Sequence, residues 1–140
     1  MVYQSSSAEE TKKIAKNLAQ QYKNGAVIAL TGGLGAGKTT FTQGFAEGLG
    51  IQNKILSPTF IVMREYHIPG NTQGKLYHLD LYRLENIQQI EELGIAEIFS
   101  NPHNIILIEW AERLKDHLPQ NTISIQFRQL SEQKREIVVN

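Results

Sequence analysis

Hydrophobic residues recur at two different periods along this chain, and the switches between them mark its elements. Ile14, Leu18 and Tyr22 fall four apart on one face, after Ser7 and, three residues on, Glu10, which together make a capping box. The spacing predicts an amphipathic helix over Ala8 to Tyr22, ended by Asn24-Gly25. Its Lys12, Lys13 and Lys16 read as a solvated face. Ala26-Val27-Ile28-Ala29-Leu30 is apolar on both faces, which predicts a central parallel strand over Ala26 to Thr31, covered by helices. Phe41, Phe45 and Leu49 return to the four-residue spacing and predict a helix from Lys38 to Leu49, stopped by Gly48 and Gly50.

A strand from about Phe60 to Tyr66, a loop over His67 to Gly74 containing Pro69-Gly70, and a returning strand from Lys75 to Tyr82 read as a hairpin. In the returning strand Tyr77, Leu79 and Leu81 share the core face, and His78, Asp80 and Tyr82 face something polar. Glu85 to Leu93 is helical and is stopped by Gly94; Ile95 to Phe99 adds a turn before Asn101-Pro102. Ile105-Ile106-Leu107-Ile108 then closes on Glu109, a buried strand with an acid at the carboxyl end, where open α/β sheets bind ligands. A short helix from Ala111 to His117 follows, and the alternation Ile123, Ile125, Phe127, a turn at Ser131-Glu132 and Ile137-Val138-Val139 predict a hairpin on the sheet edge.

Between the first strand and its helix lies Gly32-Gly33-Leu34-Gly35-Ala36-Gly37-Lys38-Thr39, which fits the phosphate-loop pattern G-x-x-x-x-G-K-[ST]. Strand, glycine loop and helix come in the required order, so the predicted fold is α/β and P-loop NTPase-like. It has a mixed, mainly parallel sheet flanked by helices, with antiparallel hairpins. Glycines let a backbone approach phosphate oxygens, and the loop ends at a helix N-terminus whose unpaired N–H groups attract an anion. Lys38 would reach the β- and γ-phosphates, Thr39 would place its hydroxyl on Mg²⁺ and Thr40 would donate to the α-phosphate. The alternative is a glycine-rich turn beside a surface lysine.

At 140 residues the chain reads as one domain, 1–140, with no room for a separate substrate domain. Fourteen basic residues balance fourteen acidic ones, which argues against wholesale wrapping of nucleic acid or adhesion to an anionic membrane. With no cysteine there is no thiol nucleophile, disulfide or thiolate metal site. The first residues carry neither a basic region nor an apolar stretch, so the expectation is a cytoplasmic protein without a signal peptide or membrane span.

Phosphoryl transfer needs a metal clamp and a group that holds the attacking water. Glu109 is placed as the metal acid, because an unpaired buried carboxylate is costly filler. Asp80 is the second candidate, with an ion pair to Arg83 or Arg64 as the alternative, and His78 is expected as its partner. Trp110 adjoins the metal acid as a core residue or a reporter of the site. Histidines 67, 78, 103 and 117 show no metal-ligand spacing. A guanine-specific Asn-Lys-x-Asp element is missing, since Asn53-Lys54 runs on into Ile55-Leu56, and arginines 64, 83, 113, 128 and 135 are too scattered for a kinase lid.

Taken together, Leu34-Gly35-Ala36-Gly37-Lys38-Thr39-Thr40-Phe41, Ser57-Pro58-Thr59-Phe60, His78-Leu79-Asp80-Leu81-Tyr82-Arg83 and Leu107-Ile108-Glu109-Trp110 resemble the TsaE (YjeE) family of bacterial tRNA threonylcarbamoyladenosine biosynthesis ATPases. The resemblance runs from about Thr11 to the C-terminus. It implies a weak Mg²⁺-dependent ATPase that acts with TsaB and TsaD in attaching threonylcarbamoyl to adenosine 37 of tRNAs reading codons that start with A. The tRNA would be reached through the complex; neither DNA nor membrane is an expected partner. By position, Lys38, Asp80 and Glu109 resemble the catalytic set: Thr39 and Glu109 as Mg²⁺ ligands, Asp80 as the residue that orients or activates water. Gly33 to Thr40 would surround the phosphates, Thr59 resembles a switch residue, and Thr11 and Arg135 resemble positions lining the base and sugar. Gly33 stands where the family usually has an acid. Two other readings remain open, a nucleotide-gated binding module and a small-molecule phosphotransferase.

Overall fold

The computed structural model describes residues 1–33, 35–55 and 62–140. The strands are β1 (Val2–Ser5), β2 (Ala26–Gly32), β3 (Met63–His67), β4 (Lys75–Asp80), β5 (Ile105–Glu109), β6 (Ile123–Gln129) and β7 (Arg135–Val139). The helices are α1 (Ala8–Gln21), α2 (Lys38–Gly48), α3 (Ile87–Glu92) and α4 (Ile95–Ser100), with a 3-10 helix over Ala111–His117. One sheet has the order β1-β7-β6-β2-β5-β4-β3. Its four central strands, β6, β2, β5 and β4, run parallel, and β3 and the β1–β7 pair close it antiparallel.

The sequence pattern explains most of these elements. Ser7 caps α1, its Oγ accepting from Glu10 N at 3.1 Å while the Glu10 carboxylate takes the Ser6 N–H at 2.8 Å. β2 is the central strand expected, and β5 and the C-terminal hairpin fall where the alternation puts them. The segment after Leu84 is two short helices, because Gly94 at φ 76 breaks it and α4 restarts beyond. β1 was not predicted. Four residues are too few to show a period, and they form a strand because the edge of β7 offers partners, Val2 opposite Val138.

Strand alternation divides the core. On one face Ile28, Leu30, Leu76, Ile105, Leu107 and Phe127 pack under α1 and α2; on the other Ala29, Leu79, Ile106 and Ile108 pack under α3, α4 and the 3-10 helix. Each fully buried Leu, Ile or Phe contributes roughly 1.5–3 kcal/mol. The two helices on the first face meet at close range: a Cβ on Gly44 would lie 2.6 Å from Lys12 Cα, and one on Gly48 2.8 Å from Lys16 Cα. Lys12 and Lys16 in turn pair with Glu47 at 3.9 and 3.2 Å on the exposed rim. That approach packs the C-terminal half of α2 directly on α1.

Candidate functional site

Parallel register places the site. Leu30 pairs with Glu109, and Glu109 with Asp80, so the carboxyl ends of β2, β5 and β4 finish in one row. By strand parity His78, Asp80 and Glu109 all sit on the α1–α2 side, the side on which the glycine loop leaves β2. The loop takes left-handed backbone at Gly35 (φ 76) and Gly37 (φ 106), geometry a side chain would strain. Gly37 is also the N-cap of α2 and supplies no side-chain cap, so the first N–H groups of an 11-residue helix face the loop without one.

A cleft of about 1010 Å³ opens here. Gly33, Gly35, Gly37, Lys38, Thr39 and Thr40 line its floor, Asp80 and Glu109 one wall, Thr11 and Arg135 the opposite end. Ala36 is buried beneath the loop. The structure thus brings together the predicted site residues it describes; Leu34 and Thr59 lie outside the described residues.

Lys38 is already engaged. Its Nζ donates to Gly32 O at 2.8 Å, stands 3.8 Å from Glu109 Oε1, and lies 5.9 Å from the Trp110 ring centroid. Glu109 is only 8% exposed, and His78 Nε2 sits 2.9 Å from its other oxygen, Oε2. The imidazole expected beside Asp80 therefore makes its hydrogen bond to Glu109. Asp80, 7% exposed, accepts the Tyr82 N–H at 3.0 Å, which fixes the turn out of β4.

Arg135 links the C-terminal hairpin to the loop: Nη2 donates to Gly35 O at 3.2 Å, and Nη1 to the carbonyls of Ser131, Glu132 and Lys134 at 3.1–3.2 Å. Thr11 is buried and bonded to Ser5 Oγ at 2.7 Å. Because Ser5 Oγ also lies 2.7 Å from Ser7 O, a carbonyl that can only accept, the Thr11 hydroxyl is the donor of that pair.

Two aromatic residues at the cleft mouth are less expected. Tyr82 and Trp110 stay 51% and 37% exposed with ring centroids 4.9 Å apart, so Trp110 belongs to the cleft wall rather than the core. Trp110 has φ 60, left-handed backbone that costs a non-glycine residue about 1 kcal/mol or more. Sequence alone gave no sign of this strain.

The donor set fits Mg²⁺. Among the described residues no group of three or more His, Cys, Asp or Glu side chains could hold a metal by itself. Mg²⁺ characteristically takes one or two carboxylates and completes its shell with substrate phosphates and water. One hydroxyl on Thr39 and one carboxylate on Glu109 beside a phosphate loop meet that requirement.

A family model described as "Threonylcarbamoyl adenosine biosynthesis protein TsaE" matches residues 5–137. A tRNA threonylcarbamoyladenosine biosynthesis protein TsaE of Bacillus subtilis (strain 168) is 46% identical over 129 residues, 92% of this chain and 78% of that protein. The protein of the same name in Treponema pallidum (strain Nichols) is 38% identical over 135 residues, covering 96% of each. The crystal structure of B. subtilis YdiB superposes with a TM-score of 0.79 at 39% identity, over 98% of this chain and 82% of that one.

Proposed function

Since the chain belongs to the TsaE family of threonylcarbamoyl adenosine biosynthesis proteins, we propose that its part in that tRNA modification is Mg²⁺-dependent ATP hydrolysis, performed beside the TsaB–TsaD pair. Family membership carries the tRNA pathway. The observation that carries ATP hydrolysis is the row of Asp80 and Glu109 at the strand ends, in the same cleft as Lys38, Thr39 and the glycine loop.

In this reading the loop glycines and the α2 N-terminus receive the phosphates, and Lys38 leaves Gly32 O and Glu109 to bind the β- and γ-oxygens. Thr39 and Glu109 would hold Mg²⁺, whose charge, when bound, would offset that developing on the phosphoryl oxygens. Thr40 donates to the α-phosphate. Asp80 orients the attacking water, its carboxylate fixed by the Tyr82 N–H. Thr11 and Arg135, which line the same cleft, bound the part left for base and sugar, and Thr59 is the switch residue. The whole chain works as one P-loop unit in the cytoplasm and meets tRNA through the complex; among the described residues no helix is long and apolar enough to cross a membrane.

The test is ATP hydrolysis by the purified protein with Mg²⁺, alone and then with TsaB, TsaD and tRNA. Slow turnover that changes clearly on adding the partners is the expected result. Tight nucleotide binding with no response to partners, and phosphate arriving on an acceptor other than water, would replace this reading with a phosphotransferase.

A further inference from the structure

Glu109 is gripped on both oxygens. Oε1 faces Lys38 Nζ at 3.8 Å, and Oε2 faces His78 Nε2 at 2.9 Å, with the His78 side chain 1% exposed. The second contact follows from the register: His78 pairs with Leu107 on the neighbouring parallel strand, so its ring is diagonal to Glu109, two residues further on the same face. A carboxylate oxygen only accepts, so the Nε2 proton is the one shared.

We propose that His78 is a positioning residue: it reserves Oε2 of Glu109 and turns the carboxylate so that Oε1 alone is offered to the divalent cation. The inference rests on Glu109 being a cation ligand.

The other ring nitrogen supports it. Among the described residues His78 Nδ1, which is buried, has no hydrogen-bond partner, so the ring's polar contact there is the one to Glu109. An unpaired buried polar atom is destabilising. Leu76 and Leu107 pack on the same face of the sheet, and a leucine at position 78 would fill this space without that cost. What the imidazole adds over an aliphatic side chain is the Nε2 bond.

The two grips have different fates when a nucleotide enters. The long, flexible stem of Lys38 lets its ammonium exchange Gly32 O and Oε1 for phosphate oxygens, which frees Oε1. His78 sits within the strand and keeps Oε2. Without it, the carboxylate can rotate and no longer holds Oε1 toward the cation. Partners that orient a metal ligand from behind commonly carry 10–100-fold in metal affinity or activity.

The experiment compares His78→Leu, His78→Gln, Glu109→Ala and the His78→Leu/Glu109→Ala double variant with the unaltered protein. The readout is binding of a fluorescent, non-hydrolysable ATP analogue as Mg²⁺ is titrated, with ATP hydrolysis measured alongside. Both His78 variants are expected to bind the analogue normally in EDTA, since the loop and Lys38 are intact. His78→Leu raises the half-saturating Mg²⁺ concentration about tenfold or more. His78→Gln, whose amide donates from the place of Nε2, stays near the unaltered protein, and the double variant is no worse than Glu109→Ala.

Normal Mg²⁺ dependence in His78→Leu, with Glu109→Ala shifted, overturns the positioning role alone. Normal Mg²⁺ dependence in Glu109→Ala removes the cation reading and this inference with it. Additive effects in the double variant, or His78→Gln as impaired as His78→Leu, mean that His78 acts through the packing of the sheet and overturn the proposal too.

Discussion

Lys38 and Glu109 face each other across 3.8 Å inside the cleft, both side chains 11% exposed, so the lysine that should meet phosphate is held by a carboxylate and by Gly32 O. In the proposed reaction, nucleotide binding exchanges partners for a charge that is already desolvated. Lys38→Ala removes charge-assisted bonds worth about 1.5–3 kcal/mol, so affinity falls roughly tenfold or more and turnover disappears. Equilibrium binding of a fluorescent nucleotide, with a phosphate-release assay, checks both; undiminished hydrolysis would remove Lys38 from the site.

Asp80 accepts the Tyr82 N–H at 3.0 Å, just beyond the end of β4. Asp80→Asn keeps an acceptor for that N–H but loses the charge proposed to orient water. Nucleotide affinity should hold while hydrolysis drops about 100-fold or more. A variant that lost binding and turnover together would make Asp80 part of the nucleotide seat.

Among the described residues a Cβ on Gly33 meets nothing within 4 Å, and its backbone is not left-handed. Gly33→Asp therefore folds normally and places a carboxylate at the loop mouth. A changed Mg²⁺ dependence of hydrolysis is expected; kinetics identical to those of the unaltered protein would show that the acid has no bearing on the metal.

Gly44→Ala sets helix propensity, a gain of about 1 kcal/mol, against a Cβ 2.6 Å from Lys12 Cα. The obstacle is backbone, so α1 must shift, and overpacking costs typically about 1–3 kcal/mol. A lower urea midpoint is the outcome expected. A higher midpoint would mean that α1 yields freely.

Arg135 spreads its guanidinium over carbonyls of the hairpin and of Gly35. Arg135→Lys presents a single ammonium that cannot reach both groups, so it should weaken nucleotide binding nearly as much as Arg135→Ala. Full rescue by lysine would reduce the role of Arg135 to its charge.

Local chemistry was enough to read much of this protein from its residues. The capping box at Ser7, the four-residue spacing of Phe41 and Phe45, the doubly apolar β2 and the glycine loop each act within a few positions, so their outcome is written in adjacent residues. Glu109 was legible for the same reason, as an acid ending an apolar strand. Other features needed partners far along the chain. β1 exists only because β7 has an edge to fill, and His78 meets Glu109 rather than its near neighbour Asp80 because β4 and β5 run parallel in one particular register. Arg135 reaches Gly35, 100 residues away, through the same kind of placement. Trp110 takes left-handed backbone and stays partly exposed, while Ala111 and Leu114 just beyond it are buried. Elements arise from short-range periodicity, but which side chains face each other depends on strand order and register, and these are set by burial summed over the whole sheet.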